Sequence, residues 1–597
     1  MLLPHLPSHD VVLSRSDYVR LTRELEKALP EARKVAVLAS FTADFIKPYL
    51  VVEAARRDFP VQVWLAPYGQ IEQQAVDPAS ALYLQQPEVV VILPRLEDLA
   101  PDLVHRFLAH DEEALQAAGK NLLARFKQVL LNIRSQSKAK ILVGNFAPPL
   151  WSAAGIADAS LEVSQSAFIQ QINTELSKLC RSLPDVLPLD VSRVAMEVGL
   201  ERWRDERLEF LAKAPWSADA MAALAKQLAR RMRSMHVPAA KCLVLDMDHT
   251  LWGGVLGEVG VGGLALGPDH PGNVFVDFHK RLLALRDSGI LLAAASKNNS
   301  VDVEEVLATH PACLLKREHF SAFEVHWEDK ATSLRRIAAT LNIGLDALVF
   351  FDDNPTERAW VRSQLPEMIV LEVPANPLGY ARVLAECGCF DQPTLTHEDR
   401  GRAELYVQDS RRQEMKQQAG SLDQFLQDLE MTLTLGVVDE ETLPRVVQLL
   451  GKTNQFNLTT RRHGAAEVRA MIESGGLAFW ARLRDRFGDN GLIAAAIAVP
   501  ETATSWRLDT FLMSCRVIGR GVETLLLGAI ERLAAAKGAD TLEAEFIPTS
   551  KNQPAATFLP SHGFVEDSPD SLRWHRSLAE RRPLPSCFRL EGLSIPT

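Results

Sequence analysis

The apolar run Leu243-Val244-Leu245 leads straight into Asp246-Met247-Asp248-His249-Thr250. Two carboxylates two residues apart at the end of a buried strand suit phosphoryl transfer. In an open parallel sheet, ligands sit beyond the carboxyl ends of the strands, so Asp246 would project into that crevice. There it could attack phosphorus and form an aspartyl phosphate. Asp248, on the following loop, could protonate the leaving oxygen and later activate water. The close carboxylates also invite a divalent cation, most naturally Mg²⁺. Alone the motif is weak, because a solvated strand-end turn has the same text. Three further segments strengthen it. Ile290 to Ala295 reads as a strand ending in Ser296-Lys297-Asn298-Asn299, which places a hydroxyl at a second strand end. Lys330 opens a helix-like stretch and could reach a phosphoryl oxygen. Ala347 to Phe351 ends in Asp352-Asp353-Asn354-Pro355, an acidic pair able to complete a metal shell. In-line nucleophile, charge neutralisation and metal are what the reaction requires. Lys297 reads as a surface residue beside Ser296.

The elements that must hold these groups fall into three blocks. In residues 1–235, the runs Val35 to Leu38, Val61 to Leu65, Val89 to Leu93 and Ile141 to Val143 alternate with helix-like stretches at Phe45 to Arg57 and Glu112 to Ser135. Continuous apolar strands between helices predict a parallel sheet covered on both faces. Residues 236–395 repeat the rhythm. Strands are expected at Cys242 to Leu245, Ile290 to Ala295, Ala347 to Phe351 and Met368 to Val373. Helices are expected at Val274 to Asp287, Val301 to Thr309, Asp329 to Leu341 and Pro355 to Ser363. Trp252 through Gly272 is glycine-rich and too short for a cap domain, so a flexible flap is expected. Residues 396–419, poor in Gly and Pro, read as a linking helix. In residues 420–597, strands are expected at Met431 to Val438, Leu477 to Leu483, Leu492 to Val499, Trp506 to Ser514 and Thr541 to Ile547. Phe487 to Gly491 reads as a hairpin connection. A helix begins near Gly519 and a short one lies around Pro554 to Leu559. The fold class expected is α/β, two doubly wound parallel-sheet domains, followed by an α+β domain.

The chain has 597 residues, 47% hydrophobic and 24% charged, with a net charge of -11. That balance argues against non-specific binding to nucleic acid or an anionic membrane. No stretch approaches the ~18 apolar residues of a membrane span. Pro4, His5, Pro7, His9 and Asp10 break the order of a secretory signal. Seven scattered cysteines point to reduced thiols and a cytoplasmic setting. Cys387-Gly-Cys389 has the wrong spacing for zinc.

The order of acidic groups, hydroxyl and Lys resembles the haloacid dehalogenase superfamily. Asp-His-Thr-Leu-Trp-Gly-Gly-Val (248–255), Ser-Lys-Asn-Asn (296–299), Leu-Asn-Ile-Gly-Leu-Asp (341–346) and Phe-Asp-Asp-Asn-Pro-x-Glu-Arg (351–358) closely resemble FkbH-like proteins. So do Thr-Asn-Gln-Phe-Asn-Leu-Thr-Thr (453–460), Arg-Phe-Gly-Asp-Asn-Gly (486–491) and Cys-Arg-Val-Ile-Gly-Arg-Gly-Val-Glu (515–523). The resemblance implies Asp246 as phosphoryl acceptor, Asp248 as acid/base, and Ser296 and Lys330 as holders of the phosphoryl group, with Thr250 part of the same site. It implies Mg²⁺ among Asp246, Asp352 and Asp353, with the backbone carbonyl of Asp248. It also implies an activity: a glyceryl group is taken from 1,3-bisphosphoglycerate, dephosphorylated and loaded onto the phosphopantetheine thiol of an acyl carrier protein for polyketide synthesis. Two positions depart from the family. His249 stands where many relatives have Asn, and Ala295 where many have Cys, a natural acyl-carrying thiol.

Arg516-Val517-Ile518-Gly519-Arg520-Gly521 follows a strand and opens a helix, a place where free N–H groups attract phosphate. It resembles the pantetheine-binding loop of GNAT acyltransferases, with Asn552, Pro554 and Phe558 placed like the last helix of that family. This makes Arg516, Gly519 and Gly521 candidate cofactor-binding residues. Cys515 becomes the remaining candidate for an acyl-carrying thiol, favoured by a helix N-terminus. A small buried strand residue is the equal alternative. Ser40 and Asn145 resemble SGNH hydrolases, but Asp205 to Ser217 contains no His to complete a triad. The first block is therefore expected to be a non-catalytic SGNH-like scaffold or carrier-docking domain. Two alternative functions remain: a Mg²⁺ phosphatase of a small metabolite without acyl transfer, and a non-catalytic protein that binds a carrier.

Overall fold

Valine-rich runs with no polar face build the first sheet, because helices cover both of its sides. In the computed structural model its strands are β1 (Arg33–Ala39), β2 (Val61–Leu65), β3 (Val89–Leu93), β4 (Lys140–Gly144) and β5 (Val186–Leu189). They are all parallel, in the order β2-β1-β3-β4-β5. The structure describes residues 6–7, 11–29, 31–395, 412, 415, 419–453, 455–549, 551–568 and 571–594. Alternate side chains of β1 enter different cores. Val35, Val37 and Ala39 pack into one layer, Ala36 and Leu38 into the other. The edge strand β5 escapes the sequence pattern because Pro188 interrupts it, and a proline is tolerated at a sheet edge.

The second sheet repeats this plan with β6 (Cys242–Leu245), β7 (Leu291–Ser296), β8 (Phe320–Val325), β9 (Leu348–Phe351) and β10 (Ile369–Val370). The order is β10-β9-β6-β7-β8, again all parallel. Helices Gly272–Asp287, Ser300–Thr309, Lys330–Leu341 and Pro355–Gln364 stand within two residues of their expected starts. The edge strand β8 is the one not anticipated; Ser321 and Glu324 hide it. Leu243 and Leu245 face one core, Cys242 and Val244 the other. The central β6 is therefore fixed from both sides, and its carboxyl end is held in place.

The third sheet is mixed. It runs β17 (Val565–Glu566), β18 (Arg573–Ser577), β16 (Thr541–Glu545), β15 (Ser505–Met513), β14 (Gly488–Pro500), β13 (Leu477–Asp485), β11 (Met431–Val437) and β19 (Phe588–Gly592). The β13–β14 turn is tighter than expected. Asp485 pairs with Gly488, so Arg486-Phe487 make the turn and Asp489 lies in the strand. β15 and β16 run parallel from Ser505 to Leu508 and Thr541 to Ala544 only. Beyond that point β12 (Phe456–Asn457), which the sequence did not announce, pairs antiparallel with Leu512 and Met513. Helix Val522–Ala536 covers the sheet. The fold is thus two parallel five-stranded sheets with helices, then a mixed sheet.

Two units account for the described chain: residues 1–238 with 391–393, and residues 239–390 with 394–597. The expected linking helix lies largely outside the described residues. Arg412, within it, makes a buried bidentate pair with Asp485 at 2.7 and 2.8 Å. Among the described residues no helix is long and apolar enough to cross a membrane.

Candidate active site

β6 sits between β7 and β9, so the ends of three neighbouring strands deliver Asp246, Ser296 and Asp352 to one place. The Asp246 N–H donates to the Phe351 carbonyl at 3.1 Å, extending the ladder to the functional residue itself. Lys330 opens the helix Lys330–Leu341, whose first turn is fixed by Asp329 accepting from the Thr332 N–H. Its Nζ lies 3.0 Å from Asp246 Oδ1 and 2.5 Å from Asp352 Oδ2. Burial works against the Lys330 charge, but the two carboxylates outweigh it and raise its pKa. Four segments distant in sequence thus meet as expected at Asp246, Ser296, Lys330 and Asp352.

Carboxylate oxygens of Asp246, Asp352 and Asp353 all lie within 4.8 Å of one another. Burial, then the charge of Asp246, pushes the Asp352 carboxyl up to about 6. Burial and Asp246 likewise raise that of Asp353. Crowded, desolvated carboxylates of this kind are relieved by a hard divalent cation with oxygen ligands, and the set fits Mg²⁺. Arg358 braces the acidic turn by donating to the carbonyls of Asp352 and Asp353, both at 2.8 Å. The Asn354 N–H donates to Asp352 Oδ1 at 2.8 Å. Thr250 Oγ1 lies 3.4 Å from Asp353 Oδ1, which places the threonine at the metal side of the site.

Asp248 is held by three donors. Its Oδ1 accepts from Trp252 Nε1 at 2.9 Å and from the Leu256 N–H at 3.1 Å. Its Oδ2 accepts from Asn298 Nδ2 at 3.0 Å, and the same amide reaches Ser296 Oγ at 3.1 Å. The glycine-rich segment after it is packed rather than loose. Trp252, Leu256, Leu264 and Leu266 are buried in the core, and Gly253 bridges to Ala265. Adding a Cβ at Gly253 would bring it within 2.9 Å of Ala265, so glycine is required for the close approach. His249 takes a left-handed φ of 55°, and its carbonyl accepts from the Tyr380 hydroxyl at 3.0 Å. His249 therefore shapes the turn by its backbone. Ala295 is fully buried in the apolar layer with Ala293, Ala331 and Leu334, on the opposite sheet face from Leu292 and Ala294. Sequence reasoning missed Asn298, Arg358 and Tyr380. Asn298 and Arg358 stood inside the quoted motifs, but their task is to hold other groups.

In the third sheet, the loop at Gly519 and Gly521 is built but engaged. Both glycines have left-handed φ, 76° and 86°. Glu523, just after the loop, is largely buried, which raises its carboxyl above the usual carboxylate range. Arg516 turns to Ser514 Oγ at 3.3 Å. The opening between β15 and β16 is occupied by the chain itself. The Leu458 N–H donates to the Phe511 carbonyl at 3.1 Å, and the Ile547 N–H donates to the Leu458 carbonyl at 2.9 Å. Asn552, fully buried, fastens this insert by donating to the carbonyls of Asn457 and Ile547 at 3.0 and 2.9 Å. The side chain of Cys515 lies outside the described residues. Of the other thiols, burial pushes that of Cys180 up to about 12 and raises those of Cys242 and Cys313.

In the first sheet, Ser40 follows β1 beside the β1–β3 crevice. Its Oγ donates to Asp98 Oδ2 at 2.9 Å and accepts from the Arg95 N–H at 2.9 Å. Asn145 donates to Asp190 Oδ1 at 2.8 Å. Among the described residues no His hydrogen-bonds to Ser40 or Asp98.

Residues 34–230 match the family described as FkbH, N-terminal domain. Among solved structures, the chain is similar to the N-terminal part of the protein BF1531 from Bacteroides fragilis, which contains a phosphatase domain and is complexed with Mg. Identity is 25%, the TM-score is 0.55, and the match covers 64% of this chain and 100% of that one. A GNAT-family acetyltransferase from Staphylococcus aureus aligns at 13% identity over 25% of this chain and 99% of its own, with a TM-score of 0.20. The ribosomal-protein-S18-alanine N-acetyltransferase from Escherichia coli aligns at 15% over 25% of this chain and 97% of its own, also at 0.20. No curated protein sequence matches the chain. The region 34–230 thus matches the FkbH N-terminal domain, and the chain is similar over 64% of its length to a Mg-complexed structure that contains a phosphatase domain.

Proposed function

We propose that this protein removes phosphate from a small phosphorylated acyl compound and delivers the acyl group to a carrier-protein thiol. The family resemblance makes 1,3-bisphosphoglycerate the donor and a glyceryl group the cargo. One observation supports the phosphoryl step above all: Lys330, at a helix start, contacts both Asp246 and Asp352 at adjoining strand ends. Asp246 attacks phosphorus, and the bond from phosphorus to the substrate oxygen breaks. Asp248 gives that oxygen a proton. Water then attacks the aspartyl phosphate, Asp248 takes its proton, and inorganic phosphate leaves with the Asp246 carboxylate restored. Ser296 and Lys330 hold the phosphoryl oxygens. Asp246, Asp352 and Asp353, with the Asp248 carbonyl, would hold Mg²⁺, which would supply charge neutralisation at the phosphoryl group. In the transfer step a carrier thiolate attacks the acyl carbon, the bond to the C1 phosphate breaks, and a thioester forms.

The test is intact-mass measurement after incubation with 1,3-bisphosphoglycerate, Mg²⁺ and an acyl carrier protein. A carrier heavier by one glyceryl group is expected. With Asp246→Asn, phosphate release should fall about a thousandfold or more, and the adduct should retain its second phosphate. A carrier that never gains mass sinks the transfer step.

A second reading, phosphate release without acyl transfer, is favoured by two observations. Position 295, where many relatives have Cys, is an alanine buried in the apolar layer, and residues 456–458 pair with the end of β15 where it parts from β16. Phosphate release with an unmodified carrier would support it.

A further inference from the structure

Lys297, directly after Ser296, reaches Glu357 in the first turn of helix Pro355–Gln364, with Nζ 2.6 Å from Oε1. The lysine leaves the end of β7 and the glutamate follows β9, while β6 lies between them. The pair therefore bridges two strand spacings, about 10 Å, across the carboxyl end of the strand that carries Asp246. A long lysine stem is what makes that span possible. Neither end needs the bridge to keep its place. The β7 loop is anchored by Asn298 on Asp248 and by Trp327 Nε1 on Asn299 Oδ1 at 3.0 Å. The helix start is anchored by Asn354 accepting from the Thr356 N–H at 2.9 Å and by Arg358 on the Asp352 carbonyl. The Lys297 side chain is 40% exposed and that of Glu357 17%. With its lysine end open to solvent, the pair is screened and contributes on the order of 1 kcal/mol, so an incoming anion can compete for Lys297.

Charge adds a reason for exchange. Asp246, Asp248, Asp352 and Asp353 surround the site, and Lys330 is already shared between two of them. A phosphoryl dianion there is balanced by Lys330 and a divalent cation, which leaves nothing for a second anionic group on the same substrate. Lys297, one residue beyond Ser296, spans the end of the strand that carries Asp246 with its charge set against Glu357.

We propose that Lys297 is a specificity residue: it leaves Glu357 to bind a second anionic group, carboxylate or phosphate, on a small phosphorylated substrate. Glu357 is its resting counter-ion. This deepens the phosphatase reading and rests on it for turnover, but binding can be measured without turnover. Phenyl phosphate and 4-carboxyphenyl phosphate form a matched pair differing by one carboxylate. Each is titrated by calorimetry, with Mg²⁺, into Asp246→Asn protein carrying Lys297, Lys297→Ala or Lys297→Arg. Loss of Lys297 should weaken 4-carboxyphenyl phosphate about tenfold, or 1.4 kcal/mol, and leave phenyl phosphate unchanged. Arginine should restore most of the loss, and Glu357→Gln on the Lys297 background should tighten the carboxylated ligand. With wild-type Asp246, the change should appear in KM rather than kcat. If both ligands weaken equally, or neither responds, the proposal is wrong. If neither ligand binds at all, it falls together with the phosphatase reading. If the carboxylated ligand responds to Lys297 but wild-type protein hydrolyses neither compound, the phosphatase reading falls and the anion subsite stands.

Discussion

At the scale of single residues, the site divides into groups that react and groups that hold them. Asp246, Asp248, Ser296, Lys330 and Asp352 were legible because each stands where an apolar run or helix pattern stops, and strand ends are where an open parallel sheet presents chemistry. Asn298, Arg358 and Tyr380 were not, because an amide, a guanidinium or a phenol that steadies a neighbour leaves no pattern of its own. Asn298 is the clearest case: one side-chain amide touches both Asp248 and Ser296, the acid/base and the phosphate holder of the proposed reaction. Asn298→Ala should therefore lower kcat for phosphate release about 10–100-fold, a usual cost of removing a supporting partner, with KM nearly unchanged. Steady-state kinetics at saturating Mg²⁺ checks it. Ala295 shows the opposite limit. Its place beside Ser296 in the chain suggested nearness to the chemistry, but a strand alternates its faces, and the side chain at 295 points into the apolar layer.

At the scale of elements, the central strands were readable to within a residue or two because buried parallel strands are continuous apolar runs. β12 was invisible because two residues have no period. Its place is set by hydrogen bonds to Phe511, Ile547 and Asn552. β15 carries another feature that pattern does not show, a bulge at Asp509, where the pairing with β14 shifts register. His463 Nε2 lies 2.7 Å from Asp509 Oδ2, and Arg507 and Arg461 reach Oδ1 at 2.6 and 3.1 Å. Burial opposes the Asp509 charge, but hydrogen bonds from His463, Arg507 and Thr510 hold its pKa well below the ordinary 3.8. A depressed carboxyl stabilises the fold above its unfolded pKa, and that contribution fades as pH falls through the lower folded value. Asp509→Asn should cost about 1–3 kcal/mol at pH 7. The gap to wild type should stay nearly constant down to pH 4 and narrow below it. Urea denaturation across that range measures the effect.

At the scale of the whole molecule, each unit has its own cores on both faces of its sheets, so cooperative unfolding within each is expected. Scanning calorimetry should resolve at least two transitions. Asp246, Asp352 and Asp353 all lie in the unit of residues 239–390 and 394–597. Mg²⁺ should accordingly raise a transition of that unit alone, by about 2.7 kcal/mol at a hundred times its dissociation constant. Asp352→Asn should remove most of the shift, and a shift in both transitions would contradict the metal assignment. The sequence announced three blocks because composition and rhythm change between them. It was silent on residues 391–393, which belong with the first unit although they follow the second sheet in sequence. Three residues carry no pattern; their allegiance is fixed by contacts such as Asp391 with Arg230, at 2.7 Å through both carboxylate oxygens. The grip of Trp252 and Leu256 on Asp248 has a kinetic meaning. In the proposed reaction the acid/base is thus oriented before substrate arrives, so turnover spends no step on arranging it.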